Sequence, residues 1–506
     1  MSKIMLKLVS SGFRYVWVNC DSVLPFRNRV QHFSTITCRR IPPYNAKFHI
    51  CLNPSYQMHY YSRINNDLKV NEKEPMSDSF PHNAHASVGG EFKIYHAEVS
   101  EHSNWIMQEN SSQEPNSSNR IPKDFRIWEG VDKDNGKGKR GVSFKFKVLS
   151  YNVLAQYLLE CHPYLYTSCS PEILKWNVRS KLLFNEITKL DPDILCLQEV
   201  QIQHLDTFFK RFEYLGYSGI FKQKTGFRQD GCAIYFKKSV FSVQDHMGVE
   251  FYQPQLPLLN RDNIGVMVKL IPHCMPKSPI VVATTHLLYN PKRTDVRLAQ
   301  IQVFLAEIDR FSYINSNSES GHCPIILTGD LNSTPQSAVI NLLDDGCVSS
   351  APFRDLSDWK KIGVTDNCQH LSVYLDRQRG EHSTNQHQTK IHNSDYRYTE
   401  VEYRDDTDPA EYHQLFNTGL VGHSLQLKSV YDRIKHNGLH EASTFQEYWV
   451  TVDYIYFSCH SSLNLSERLR LPTADECEVL GSLPNHVYGS DHLSLGAVFE
   501  INFFNS

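Results

Sequence analysis

Four apolar runs of strand length, each ending on a polar residue, constrain the fold of this chain more than any other feature. Val148-Leu149 leads into Ser150-Tyr151-Asn152, and Ile194 to Leu197 ends in Gln198-Glu199. Residues 279–285 stop at His286, and Ile325 to Leu327 pass through Gly329 to Asp330. Between the runs, apolar side chains recur at helical spacing over 171–190, 204–212 and 296–310, with Pro171 suited to a first turn. Asp191-Pro192-Asp193 breaks the first of these helices, and a further strand covers 231–236. Buried strands alternating with helices predict an α/β layered arrangement with a site at the strand ends.

The chemistry of the tips follows from residue type. Asp330 and Asn332 stand two apart, so in a strand they project to one face. A carboxylate that holds or deprotonates water, beside an amide that donates to a phosphate oxygen, suits phosphoester hydrolysis. The same residues also make ordinary turns. Glu199 alone reads as a solvated carboxylate, and His286 alone as a structural histidine. Asp453 is different. It lies on an apolar strand, Thr451 to Phe457, where a charge is costly without a partner. His492, in Ser490-Asp491-His492-Leu493, supplies one, because a buried Asp can orient a His and stabilise its protonated form. G-D-x-N-S-x-P and S-D-H-L-x-L, preceded by L-Q-E-V and T-T-H-L, carry together what none carries alone.

A net charge of −3 excludes a strongly basic nucleic-acid coat and confines any such contact to a channel. Thirteen scattered cysteines without a C-x-x-C pair indicate reduced thiols in an intracellular protein. No apolar stretch reaches the ~18 residues of a membrane span. Residues 1–50 carry eight basic side chains against one acid, Asp21, as in a mitochondrial transit segment or an untargeted basic leader. A cytoplasmic, nuclear or mitochondrial location is therefore open. Residues 51–143 are polar and rich in Pro, Ser, Asn and Glu, and are expected to be a disordered linker. The folded body is expected at 144–501, with a disordered insertion at about 367–409. His370, His382, His387 and His392 fall in that insertion at spacings too irregular for a zinc site.

Ser150-Tyr151-Asn152-Val153-Leu154, Cys196-Leu197-Gln198-Glu199-Val200, Thr225-Gly226 with Asp230-Gly231-Cys232-Ala233, residues 285–291 and the two C-terminal motifs resemble the exonuclease–endonuclease–phosphatase superfamily. The nearest branch is similar to the angel family, relatives of nocturnin and the Mg²⁺-dependent poly(A) deadenylases. The resemblance implies a DNase I-like four-layer α/β sandwich, two packed β-sheets flanked by helices. It implies Mg²⁺, with Mn²⁺ as a substitute, on Glu199, with Asn152 and Asp491 contributing. It makes Asp330 the residue acting on the attacking water and Asn152, His286 and Asn332 the phosphate contacts, with Asp453 holding His492. Superfamily endonucleases carry Asp where this chain has Leu154, which sets it on the deadenylase–angel side.

Three activities are compatible with these residues. One is hydrolysis of a terminal 2′,3′-cyclic phosphate at an RNA 3′ end, another is 3′-to-5′ removal of poly(A), and the third is RNA binding without turnover. The intact residue set speaks against the third. Tyr289, Tyr448, Trp449 and Tyr488 lie near the motifs as candidate base-stacking residues. Protein partners are not indicated.

Overall fold

Val142–Asn152 and Ile194–Gln201 run parallel as neighbours in one sheet, and Ile280–His286 and Ile325–Asp330 do the same in a second. Parallel neighbours require a crossover, and each pair has a helix in its connection, Trp176–Leu190 and Thr294–Ser312 respectively. The computed structural model describes residues 121–131, 142–316, 319–354, 359–378, 415–416 and 418–503, with the backbone of five short strands between residues 2 and 94. The first sheet is eight-stranded. In spatial order its strands are Lys93–Ile94, Tyr217–Gln223, Asp230–Lys237, Ile194–Gln201, Val142–Asn152, Leu495–Phe503, Leu463–Leu469 and Trp128–Gly130. The second has six: Phe241–Glu250, Ile264–Pro272, Ile280–His286, Ile325–Asp330, Asp453–Ser458 and Leu427–Ser429.

The sheets pack face to face through Phe146, Ile194, Ile234, Val266, Val282, Ile326, Ile455 and Phe499. A second core, with Leu298, Ile301, Leu305 and Ile308 on the long helix, covers the outer face of the six-stranded sheet. A third, with Leu183, Ile187, Phe208 and Phe212, covers the other. This is the expected four-layer sandwich. Register then gathers the tips. Asn152 pairs with Gln198, His286 with Asp330, and Asp330 with Asp453 at the start of an antiparallel strand. Gly329 admits the close approach, since a Cβ there would sit 2.2 Å from the Thr285 carbonyl oxygen.

The helix expected from Pro171 begins instead at Trp176. Residues 171–174 are turns, because Ile173 is buried and Leu174 packs on Leu154, Leu159, Tyr166 and Cys169. Over 202–214 the backbone is a succession of short helical pieces rather than one helix. Residues 1–85 form a separate unit with two antiparallel strand pairs, Ser2–Leu8 with Arg14–Cys20 and Ser34–Ile36 with Phe48–Ile50. Among the described residues no helix is long and apolar enough to cross a membrane.

Two boundaries need correction. The body begins well before Phe144. Trp128–Gly130 is the edge strand beside Leu463–Leu469, Phe125 is buried in the inter-sheet core, and Arg126 donates to the Ser494 carbonyl. One aromatic anchor and one edge strand suffice to order a stretch whose surroundings are polar. The expected insertion is also narrower at its start. Leu371–Gln378 is a helix, His370 Nε2 lies 2.8 Å from Glu307, and Arg377 Nη1 lies 2.8 Å from Asp309. His370 is thus engaged by a carboxylate, while His382, His387 and His392 lie outside the described residues. Deleting residues 1–120 takes only the two-residue edge strand Lys93–Ile94 from the body's sheet and is expected to leave the body stable. Extending the deletion to 131 removes Phe125 from the core at a cost of about 3–5 kcal/mol, read as a lowered denaturation midpoint.

Candidate active site

All eight residues singled out in the sequence meet at the joined ends of the two sheets. Asn152 bridges them: its Nδ2 donates to Glu199 Oε1 at 3.1 Å and to Asp330 Oδ2 at 3.0 Å. The other Glu199 oxygen accepts from the Ala155 amide at 2.8 Å. Asp330 Oδ1 accepts from the Asn332 amide at 2.9 Å, while Asn332 commits one amide proton to the Leu287 carbonyl at 3.0 Å. His286 Nε2 and His492 Nε2 approach Asp330 Oδ2 at 3.6 and 3.8 Å. His492 Nδ1 lies 2.8 Å from Asp453 Oδ2, which also accepts from Ser443 at 2.6 Å. Asp491 Oδ1 lies 3.9 Å from His492, and its other oxygen accepts from Tyr166 at 2.7 Å.

Backbone strain concentrates in the same place. Leu154, Glu199 and Asn332 adopt left-handed φ of 54°, 59° and 47° at the ends of three strands. Such conformations cost on the order of 1–3 kcal/mol each and persist where the surroundings fix them, often at functional sites. Here the fixing groups are identifiable. Arg179, fully buried, donates to the carbonyls of Leu154 and Gly489, both at 2.8 Å, and so joins the loop after Asn152 to the loop before His492. Leu154 itself packs in the small cluster with Leu159, Tyr166 and Cys169. An Asp at that position would have to bury its charge there.

The two histidines differ electrostatically. Burial holds His286 well below its ordinary value, and the Lys224 ammonium beside it and His492 push the same way. Lys224 Nζ lies 3.5 Å from His286 Nδ1. An ammonium only donates, so Nδ1 is the acceptor and the proton of the neutral ring sits on Nε2, facing Asp330. For His492, burial again disfavours the charge. Asp453 overcomes it, and Asp491 and Asp330 add to it, holding the imidazole well above its usual range. Asp330 is pushed up to about 6 by burial and then by Asp453. Glu199 rises to about 7 through burial, reinforced by Asp491 and Asp230.

That last shift marks where a cation fits. Asp230 has Lys224 at 2.7 Å and the Tyr157 hydroxyl as partners. The Asp491 carboxylate raises the cost of ionising Glu199, which has only neutral donors bound directly to it. Their donor atoms are all oxygen, the set a hard divalent ion prefers. Asn152, expected to contribute, turns its Nδ2 toward Glu199, and its Oδ1 accepts from the Leu154 amide at 3.1 Å. Among the described residues the tightest carboxylate–histidine group is Asp330, Asp453 and His492, with ligand atoms within 4.8 Å. It already contains a cation in His492, which offsets one of its two carboxylates.

Sequence reasoning missed Lys224, Asp230, Tyr157, Tyr166, Arg179 and Ser443. Asp230 stood within a motif used for the resemblance. Nothing in the spacing of the others distinguishes them from surface or core residues.

Residues 149–492 match the Endonuclease/Exonuclease/phosphatase family. Protein angel homolog 2 of Bos taurus is 36% identical over 396 residues, covering 71% of this chain and 70% of its own length. Protein angel of Drosophila melanogaster is 34% identical over 368 residues, covering 70% of this chain and 81% of its own. A crystal structure of ANGEL2, a 2′,3′-cyclic phosphatase, in complex with adenosine-2′,3′-vanadate superposes with a TM-score of 0.59 at 32% identity. It spans 74% of this chain and 98% of that one. The buried carboxylate–imidazole constellation and these similarities have one consequence: the chain is a phosphoric ester hydrolase and belongs to the angel branch of the endonuclease/exonuclease/phosphatase family.

Proposed function

We propose that this protein hydrolyses the terminal 2′,3′-cyclic phosphate of RNA 3′ ends with a divalent cation, Mg²⁺ first among them. The observation that carries the reading is the pair of unlike histidines on either side of Asp330, one cationic and one neutral, in a chain so similar to a 2′,3′-cyclic phosphatase. Asp330, raised to about 6, is ionised at neutral pH yet basic enough to take a proton from water attacking phosphorus. The Asn332 amide and Asn152 fix its two oxygens. His492 places positive charge where the phosphorane oxygens become more negative, and the His286 Nε2 proton donates to them. Glu199 and Asp491 would hold the cation, which polarises a phosphoryl oxygen when bound. The P–O bond to one ribose oxygen breaks, and that oxygen takes a proton while hydroxide adds to phosphorus.

Of the four aromatics considered for base stacking, Trp449 and Tyr488 are buried, whereas Tyr289 and Tyr448 are exposed. This is little surface for holding a run of adenines, and it favours end-group chemistry over processive deadenylation. Activity should persist when the upstream bases change from A to U or C and vanish on DNA ends, which lack the 2′-oxygen. Selective activity on A-tracts would instead support deadenylation.

The cation can be tested without turnover. It binds the ionised carboxylate, so protons compete with it as pH falls through about 7, the Glu199 value without metal. Mg²⁺ should raise the melting temperature at alkaline pH, less so below that value, and not at all in Glu199→Gln. A shift that survives this substitution would place the cation elsewhere.

A further inference from the structure

The large apolar side chain with the greatest exposure among the described residues is Phe227, at 80%, and it stands on a loop that starts inside the site. Lys224, the loop's first residue, contacts His286 with its ammonium and donates its amide to the Asp230 carbonyl. Three residues of chain reach at most about 11 Å, so Phe227 stands within that distance of the Lys224 backbone.

The loop is fixed, although its tip is bare. Asp262 holds it from below, with one oxygen accepting from Thr225 Oγ1 at 3.0 Å and the other from Arg228 Nε at 3.2 Å. Gln223 Nε2 closes the loop on the Arg228 carbonyl at 2.7 Å. Gly226 turns at φ +67°, and a Cβ there would meet Asp262 at 2.9 Å, so the turn requires glycine. Arg228 remains more than half exposed despite its ion pair, leaving cationic surface beside the ring. A fixed, solvent-facing aromatic next to a guanidinium, continuous with a phosphoester site, is how single-stranded nucleic acids are held without base selection.

We propose that the Phe227 loop is the docking surface for the RNA strand leading into the site. An upstream base stacks on Phe227, and a backbone phosphate lies against Arg228. This rests on the RNA-end reading above and extends it. A single-stranded oligonucleotide then binds more tightly than a mononucleotide with the same end group, and the upstream contact adds affinity without base preference.

The test uses the full chain in chelator, so that no turnover occurs, and single-stranded RNA with 2-aminopurine at successive positions from the 3′ end. Wild type should quench the probe at the second or third nucleotide. Phe227→Ala should abolish the quench and weaken binding about five- to tenfold, and Phe227→Trp should restore both. Asp262→Ala, which leaves Phe227 but frees its loop, should lose most of the quench. Arg228→Ala should reduce the slope of log affinity against log salt by about 0.7. With Mg²⁺ restored, hydrolysis of a mononucleoside 2′,3′-cyclic phosphate should not change in Phe227→Ala. Phe227-dependent quenching in a protein that hydrolyses no cyclic phosphate would uphold the docking surface and reject only the activity. Equal quench and equal affinity in wild type and Phe227→Ala would overturn the docking surface.

Discussion

Glu199→Gln should lower turnover by on the order of 10³-fold or more while the melting curve without metal stays the same or moves slightly upward. The carboxylate contributes nothing to stability in its ionised form, since the fold raises its pKa to about 7 from an ordinary carboxyl value. Between those values the native state binds more protons than the unfolded chain, so stability falls as pH rises through this window. The neutral amide removes that cost. Near wild-type turnover in Glu199→Gln, or turnover in wild type after exhaustive chelation, would contradict the assigned role.

Asp453→Asn should cost both activity and stability. The carboxylate holds His492 in its charged form and fixes the ring through Nδ1. Losing an orienting carboxylate of this kind reduces turnover by about 10²–10⁴-fold. It also leaves a buried imidazolium without its counter-ion, a loss of about 3–5 kcal/mol. The pH dependence has a definite sign. The folded pKa of His492 lies above the unfolded one, so the stabilisation is complete below about pH 6.5 and disappears as pH rises through the folded value. The gap in unfolding free energy between wild type and Asp453→Asn should therefore narrow with increasing pH. A constant gap would mean that Asp453 acts by packing alone.

Much of this architecture is written locally. The apolar runs ending at Asn152, Glu199, His286 and Asp330 are strands because their hydrophobic side chains fill the space between and outside the sheets, and their polar ends follow from the direction of each chain. Asp453 and His492 were legible as a pair because a charge on an apolar strand needs a partner. Lys224 and Arg179 were not. Arg179 takes its role from the carbonyls of Leu154 and Gly489, and Lys224 from the Asp230 carboxylate across its own loop and the His286 ring on another strand. No periodicity records such contacts. The domain start was misplaced for a related reason. Composition averages over a window, whereas Phe125 and the Trp128–Gly130 edge strand order their segment through a few contacts with residues more than three hundred positions away.

The central claim, hydrolysis at the RNA end group, is tested most directly by mass analysis of products from two matched oligoribonucleotides. One ends in a 2′,3′-cyclic phosphate and the other in an A-tract with a 3′-hydroxyl, both treated with the purified full chain and Mg²⁺. End-group hydrolysis requires that the first gain one water or lose its phosphate at full length, while the second remains intact. Stepwise shortening of the A-tract with the cyclic end left untouched would contradict it.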